Sequence, residues 1–245
     1  MSKIFKAETA LCRSFIDWLP EEWTAYPETQ NYDILLIGPQ GYQIGVEAKL
    51  RLNAEVIEQA VRDRRSRSDT GPDFRAVLVP SDVNHKLKSL CRHLGVTVLR
   101  QAASYCHDNL PKLSTWNCRS WYFSDEWVDE CPTSRLILPE YIPRVEAGAS
   151  SPKVLSSWAI RSMKLMIILE KRGYVTRADF KALILSPSAW ATSAGYLSKG
   201  DVRGRWIASE YMPDLKAKHP ETYAEILADE GWQAAFDLVT DQNQT

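Results

Sequence analysis

Asp33, Glu47 and Lys49 are the residues of this 245-residue chain whose types and spacing could do chemistry together. Asp33 opens the apolar run Ile34-Leu35-Leu36-Ile37, Gly38-Pro39-Gln40-Gly41 reads as a turn, and Tyr42 to Leu50 returns as a second strand carrying Glu47-Ala48-Lys49. The pattern predicts a β-hairpin. Side chains alternate across a strand, so Glu47 and Lys49 are expected on one face and Val46, Ala48 and Leu50 on the other. Hydrolysis of a phosphodiester needs a hard cation beside the phosphate, and magnesium accepts one or two carboxylates together with water and substrate oxygens. Asp33 and Glu47 could supply the carboxylates and the Ala48 carbonyl a third oxygen. Lys49 could orient or help deprotonate the attacking water, or stabilise developing negative charge. A Glu-x-Lys by itself is common and more often a surface salt bridge on a half-exposed strand, so the surrounding elements must decide.

Upstream, Ile4, Leu11, Cys12, Phe15 and Leu19 recur at helical spacing, which predicts an amphipathic helix over residues 3–19 ending before Pro20. Glu8 falls on or beside that stripe. A carboxylate there needs a partner or a metal, unless it reaches water at the edge of the stripe. Downstream, Ala54 to Arg65 reads as a helix, Phe74 to Pro80 as a strand, Asn84 to His93 as a helix, and Val96 to Leu99 as a buried strand, with a further strand over Trp23 to Pro27. The order specifies an α/β class with a mixed sheet.

Asp33 followed by Glu47-Ala48-Lys49, inside that order of elements, resembles the PD-(D/E)xK (restriction-endonuclease-like) nuclease superfamily over roughly residues 3–100. The resemblance implies an αβββαβ core and magnesium- or manganese-dependent DNA endonuclease activity. It implies Asp33 and Glu47 as metal ligands with the Ala48 carbonyl, Lys49 as the motif lysine, and Glu8 as an added first-helix glutamate. Tyr32 stands where the nominal proline of the motif would be. Some members carry a glutamine on the helix after the lysine strand, followed four residues later by tyrosine; here Gln59 is followed by Asp63. Gln59 is then a contact to phosphate or metal-bound water, or an exposed helix residue. Arg62, Arg64 and Arg65 abut the expected site and are candidates for phosphate contact.

The chain divides electrostatically. Residues 1–150 hold 18 Lys and Arg against 20 Asp and Glu, residues 151–205 hold 10 against 3, and residues 206–245 hold 2 against 8. A compact basic segment is the footprint expected of nucleic-acid contact. From Asn109 to Pro143 the sequence is rich in tryptophan, proline and acids, with Trp116, Trp121 and Trp127 more in keeping with packing than with base stacking. Residues 1–108 are therefore expected as the nuclease core and 109–152 as a connector. Residues 153–245 are expected as a winged-helix-like module with an acidic helical tail. Within it, a helix capped by Ser157 runs from Trp158 to Lys171, a second starts at Thr176 with Asp179 completing a capping box, and a third spans Ala189 to Leu197. The turn Lys199 to Arg205 would be the wing. Arg177, Lys181, Lys199, Arg203 and Arg205 are its candidate nucleic-acid contacts. The third helix offers no Arg or Lys to read guanine, which leaves a protein partner as the other use of the module.

Five widely spaced cysteines show neither zinc-site pairs nor a disulfide framework, no apolar run reaches about 18 residues, and the N-terminus lacks a signal-peptide pattern. The expectation is a cytoplasmic protein with DNA as partner and no membrane, and a homodimer is compatible with it. The alternative to an enzyme is a non-cleaving nuclease-fold subunit of a DNA-processing or mobile-element complex. The order of nuclease then winged helix is also that of heteromeric transposase subunits.

Overall fold

The computed structural model describes residues 4–62, 70–80, 83–107, 110, 127–149 and 155–234. The chain divides into two compact units, Met1–Val154 and Leu155–Thr245.

In the first unit the order is α1 (Glu8–Trp18), β1 (Thr24–Thr29), β2 (Tyr32–Ile37), β3 (Gln43–Ala48), α2 (Ala54–Val61), β4 (Phe74–Pro80), α3 (His85–His93) and β5 (Thr97–Gln101). The five strands make one mixed sheet in the order β1-β2-β3-β4-β5. β1, β2 and β3 pair antiparallel, while β3, β4 and β5 pair parallel. The α/β class expected from the sequence is therefore present. The two parallel connections need crossovers, and α2 and α3 provide them. Val56, Ile57 and Ala60 of α2 and Cys91 of α3 share a cluster with Val77 and Val79 of β4 and Val98 of β5. Leu11, Cys12 and Phe15 of α1 cluster instead with Ile34, Leu36, Ile44, Val46, Ala48, Phe74 and Leu78. The sheet is thus covered by α1 on one face and by α2 and α3 on the other, which is why its middle strands are apolar at nearly every position.

Local signals explain the boundaries. Asn53 caps α2 by accepting from Val56 N at 3.0 Å, and Asn84 caps α3 by accepting from Lys86 N at 2.9 Å. The first helix is shorter than its periodicity suggests: it starts at Glu8, and Ile4 precedes it with 50% of its surface exposed. β3 differs more. It is the central strand, buried along its whole length, so Glu47 is not on a half-exposed edge but 5% exposed.

The described part of the expected connector, residues 110 and 127–149, packs into the first unit. Trp127 is 3% exposed and meets Phe74 edge-on at 5.8 Å, so it is not available to stack on a base. Trp116 and Trp121 lie outside the described residues. Arg135 Nε donates to both oxygens of Asp73, and the buried Gln43 side chain accepts from Leu136 N at 2.8 Å while donating to Leu136 O at 2.9 Å.

The second unit runs α4 (Ser157–Arg172), β6 (Val175–Thr176), α5 (Arg177–Ala182), a π-helical turn at Ala189–Ser193, β7 (Leu197–Lys199), β8 (Arg205–Ala208), α6 (Leu215–Lys218) and α7 (Pro220–Ala228). Its strands order as β6-β8-β7, all antiparallel. The cap of α4 is Ser156 rather than Ser157, accepting from Ala159 N at 3.2 Å, and Gly173 ends the helix with φ 79°. The capping box of α5 forms as read, with Thr176 N donating to Asp179 Oδ2 at 2.6 Å. Ile184 lies beyond α5, 73% exposed, and does not join its buried face. The expected third helix reduces to the turn at Ala189–Ser193, because Leu197 is already the first residue of β7. Trp190 is buried, tilted against Trp158 and edge-on to Phe180 and Tyr196, so it is core and not a contact surface.

Candidate functional site

The β2–β3 ladder runs from Ile37↔Gln43 to Ile34↔Val46. Beyond that pair, Ala48 N–H donates to Asp33 Oδ2 at 2.6 Å, so a carboxylate stands where a backbone carbonyl of β2 would otherwise be. Lys49 N–H, the next donor along, turns to the other side and donates to Leu78 O of β4 at 3.0 Å. Asp33 is thereby fixed beside Glu47-Ala48-Lys49, as the spacing in the sequence suggests.

The cationic groups do not pair as strand alternation predicts. β3 ends at Ala48, and Lys49 Nζ lies 3.6 Å from Glu8 Oε2 at the start of α1. Glu47 Oε1 instead faces Arg62 Nη2 at 3.5 Å. Two carboxylate–cation pairs thus flank Asp33, one from each helix layer. Arg62 follows α2, with its N–H donating to Gln59 O. Gln59 is half-buried on α2, and its main chain holds the Arg62 turn. Arg64 and Arg65 lie outside the described residues.

Burial raises the pKa of Asp33 above the ordinary carboxylate value, the Ala48 N–H opposes the rise, and the Glu8 charge adds to it, with Lys49 and Arg62 pulling the other way. A second carboxylate, missed in the sequence, shares this environment. Glu28, near the end of β1, is raised first by burial and next by the charge of Asp33. Its Oε1 accepts from Ala149 N at 3.1 Å. Glu28 has φ 48°, Gln30 56° and Asn31 66°, so the β1–β2 connection is a left-handed turn. No local motif marks Glu28, because a segment some 120 residues away completes its surroundings. Gly148 in that segment has φ +74°, and a Cβ there would stand 3.0 Å from Cys12 Sγ and 3.1 Å from the Glu8 backbone carbon. Only glycine lets the strap lie this close to α1. Burial and the charges of Asp33, Glu28 and Glu8 together push the Cys12 thiol pKa up, which makes it a core residue and not a nucleophile.

Asp33 and Glu47 themselves offer carboxylate oxygens, the donor type that a hard cation such as magnesium accepts. Among the described residues no three His, Cys, Asp or Glu side chains form a metal cluster. A cation held by Asp33 and Glu47 would have to complete its shell with carbonyl, water and substrate oxygens, since the described residues offer no all-protein cage.

In the second unit Arg177, Lys181, Lys199, Arg203 and Arg205 are all exposed. The Arg205 guanidinium lies 3.9 Å from the centroid of the Tyr174 ring, and Arg172 lies 4.7 Å from the same ring. Arg172 is in turn bonded to the buried Asp179 and donates to Tyr174 O. Arg205 is therefore a guanidinium held on an aromatic platform.

Among the described residues, no helix is long and apolar enough to cross a membrane. The chain matches no family model, no curated protein and no solved structure.

Proposed function

We propose that the chain is a magnesium- or manganese-dependent DNA endonuclease of the PD-(D/E)xK kind. The observation that carries this reading is the Asp33 carboxylate bonded to Ala48 N–H at the end of the β2–β3 ladder, which sets it beside Glu47, Ala48 and Lys49. The order of elements around it supports the same reading: α1, three antiparallel strands, a crossover helix and a parallel strand follow one another in the order αβββαβ that the resemblance implies.

On this reading Asp33 and Glu47 hold the cation. Strand residues point their N–H and C=O to the same side, so the Ala48 carbonyl faces the Asp33 edge with its N–H and adds a third oxygen. A bound cation would supply charge neutralisation at the phosphate and a more acidic water. Lys49, paired with Glu8, orients the attacking water or stabilises developing negative charge; Glu8 keeps the ammonium aimed at the site. Arg62, half-exposed beside Glu47, contacts a phosphate oxygen of the substrate.

The second unit is read as a winged helix, supported by its order helix, strand, helix, turn, strand, strand and by the sheet order β6-β8-β7. With only one helical turn in place of a groove-reading helix, it holds phosphates through Lys199, Arg203, Arg205, Arg177 and Lys181, and base readout is not its role.

Purified full-length protein, incubated with plasmid, linear, single-stranded and branched DNA in magnesium, manganese, calcium or excess chelator, tests the proposal. Cleavage in magnesium or manganese, its absence in calcium or chelator, and its loss by about 100-fold or more in Lys49→Ala are expected. Cleavage that survives in chelator, or in folded Lys49→Ala, overturns it.

A further inference from the structure

Resting on the reading of Asp33 as a site carboxylate, we propose that Tyr32, Gly45 and Arg75 are positioning residues that lock the backbone turn from which Asp33 reaches Ala48. Tyr32 is 3% exposed and is the first residue of β2. Its ring lies over Gly45 of the neighbouring strand: a Cβ on Gly45 would stand 2.4 Å from Tyr32 Cε1 and 2.6 Å from Cζ. Its hydroxyl accepts from Arg75 Nη1, on the next strand again, at 2.7 Å. Tyr32 thus crosses β3 completely, from β2 to β4.

The face it crosses on is informative. Arg75 Nη1 also donates to Ala60 O of α2 at 2.9 Å, so Tyr32 lies on the α2 side of the sheet. Ile34, two residues on, is in the cluster with α1, on the opposite side. Regular strand alternation would put residues two apart on one face. The backbone therefore rotates between Tyr32 and Ile34, and Asp33 is the residue in the rotation. Its carboxylate points along the sheet toward β3 instead of out of either face, and meets Ala48 N–H.

Two residue choices at this spot are unfavourable for stability alone. Glycine inside a strand weakens it, and here Gly45 sits in the central strand, paired with Leu35 on one side and Arg75 on the other. A guanidinium 5% exposed carries a large desolvation cost that an apolar side chain of similar volume would avoid. Gly45 makes room for the ring, and Arg75, which also faces Glu130 Oε2 at 3.9 Å, bonds its hydroxyl. Arg75 also ties Tyr32 to α2 two residues before Arg62, so one side chain sets the spacing between the Asp33 turn and the cation beside Glu47. Placement of local exceptions to folding rules around a polar site is the pattern expected where function has been favoured over stability.

The experiment uses full-length Gly45→Ala, which removes the space for the ring, and Tyr32→Phe, which removes only the hydroxyl. Two readouts are taken: the pH dependence of the Ala48 amide proton by NMR, which follows Asp33 ionisation through their hydrogen bond, and the affinity for manganese by calorimetry. Outer partners of metal ligands typically change affinity by about 10- to 100-fold. Gly45→Ala is expected to uncouple the Ala48 amide from Asp33 and to weaken manganese binding about tenfold or more, with Tyr32→Phe showing the same changes at smaller size. Folded Gly45→Ala with wild-type coupling and affinity overturns the proposal; should it not fold, unchanged coupling and affinity in Tyr32→Phe overturns it. A wild-type protein that binds no manganese and cuts no DNA defeats the nuclease reading instead, and the Ala48 amide still reports on the positioning of Asp33.

Discussion

Arg62 Nη2 stands 3.5 Å from Glu47 Oε1, so an arginine at the end of α2 lies against the buried carboxylate of the central strand. If Glu47 binds a cation as proposed, that cation meets this like charge. Arg62→Gln removes it, and because the guanidinium is half-exposed the gain is limited to the about 0.2–1 kcal/mol of a solvent-screened pair. Manganese should bind up to about fivefold more tightly to Arg62→Gln in a calorimetric titration, while kcat/KM on DNA falls because a phosphate contact is lost. Weaker manganese binding in this variant would remove Glu47 from the ligand set.

Asp33 gives the pH prediction. Burial and the Glu8 charge raise its pKa, so the folded state disfavours its ionised form. For an acid shifted this way the contribution to stability is greatest below the ordinary value of 3.8 and is lost as pH rises through the folded-state value. Asp33→Asn keeps an acceptor for Ala48 N–H and never ionises. Its Tm should exceed that of the wild type at pH 7, and the difference should vanish below about pH 3.8. Glu28, raised by burial and by Asp33, adds to the same trend. Added magnesium should raise the wild-type Tm at pH 7 and leave Asp33→Asn nearly unmoved. Thermal melts across pH 3 to 8 with and without magnesium decide it; a variant less stable than wild type at neutral pH contradicts the direction.

What the sequence shows of this site is its local part. Asp33 and Glu47 lie on consecutive strands and Lys49 directly follows the second, so periodicity and one turn suffice to bring them near, and the strands Phe74–Pro80 and Thr97–Gln101 are readable from their apolar runs. Lys49 fails the alternation rule because β3 stops at Ala48, where its ladder with β4 ends at Ala48↔Leu78, and that boundary depends on the pairing strand and not on any residue of β3. Glu28, Arg75 and Gly148 are invisible for another reason. Each acquires its role from a partner distant in sequence: Ala149 for Glu28, Tyr32 for Arg75, and Glu8 and Cys12 for Gly148. Leu197 as a strand residue was likewise hidden, since its pairing with Ala208 overrides a segment that otherwise reads as helix.

The strap after Trp127 changes where the first unit can be cut. Trp127, Tyr141 and Ala147 are all buried, and Gln43, 3% exposed, depends on Leu136 for both of its side-chain hydrogen bonds. Losing a buried tryptophan typically costs about 3–5 kcal/mol, and an orphaned buried amide about 1–3 kcal/mol more. Against a typical total of about 5–15 kcal/mol, that removes most of the margin. A fragment of residues 1–108 should show no cooperative urea transition, whereas 1–154 should unfold in one step. A cooperative 1–108 fragment would mean that the strap is an ornament on a self-sufficient core.

Gly148 offers a finer cut at the same strap. Its φ of +74° strains any L side chain, and a Cβ there would press on the Glu8 backbone at 3.1 Å. Gly148→Ala carries left-handed strain of about 1–3 kcal/mol or lifts the strap from α1. Relief by lifting would withdraw Ala149 N–H from Glu28 and loosen Glu8, the partner of Lys49. The expected result is a lower Tm together with a drop in kcat larger than the drop in DNA affinity. A destabilised variant with unchanged kcat would confine the strap to a structural role.

Arg203 and Arg205 separate the two uses of the second unit. Both are exposed in or beside the β7–β8 hairpin, and Arg205 is held on the Tyr174 ring, which reduces the entropy lost when it meets a phosphate. If each neutralises one phosphate, the slope of log affinity against log salt should fall by about 2 when both are replaced by glutamate, at roughly 0.9 per phosphate on duplex DNA. The loss should be similar for unrelated sequences, since phosphate contacts carry no base information. Fluorescence anisotropy on two unrelated duplexes between 50 and about 200 mM salt measures both quantities. Affinity that ignores salt and survives Arg203→Glu with Arg205→Glu would turn the basic hairpin from a nucleic-acid surface into one for an acidic protein. The catalytic proposal for the first unit would stand apart from that outcome, because it rests on Asp33, Glu47, Ala48 and Lys49.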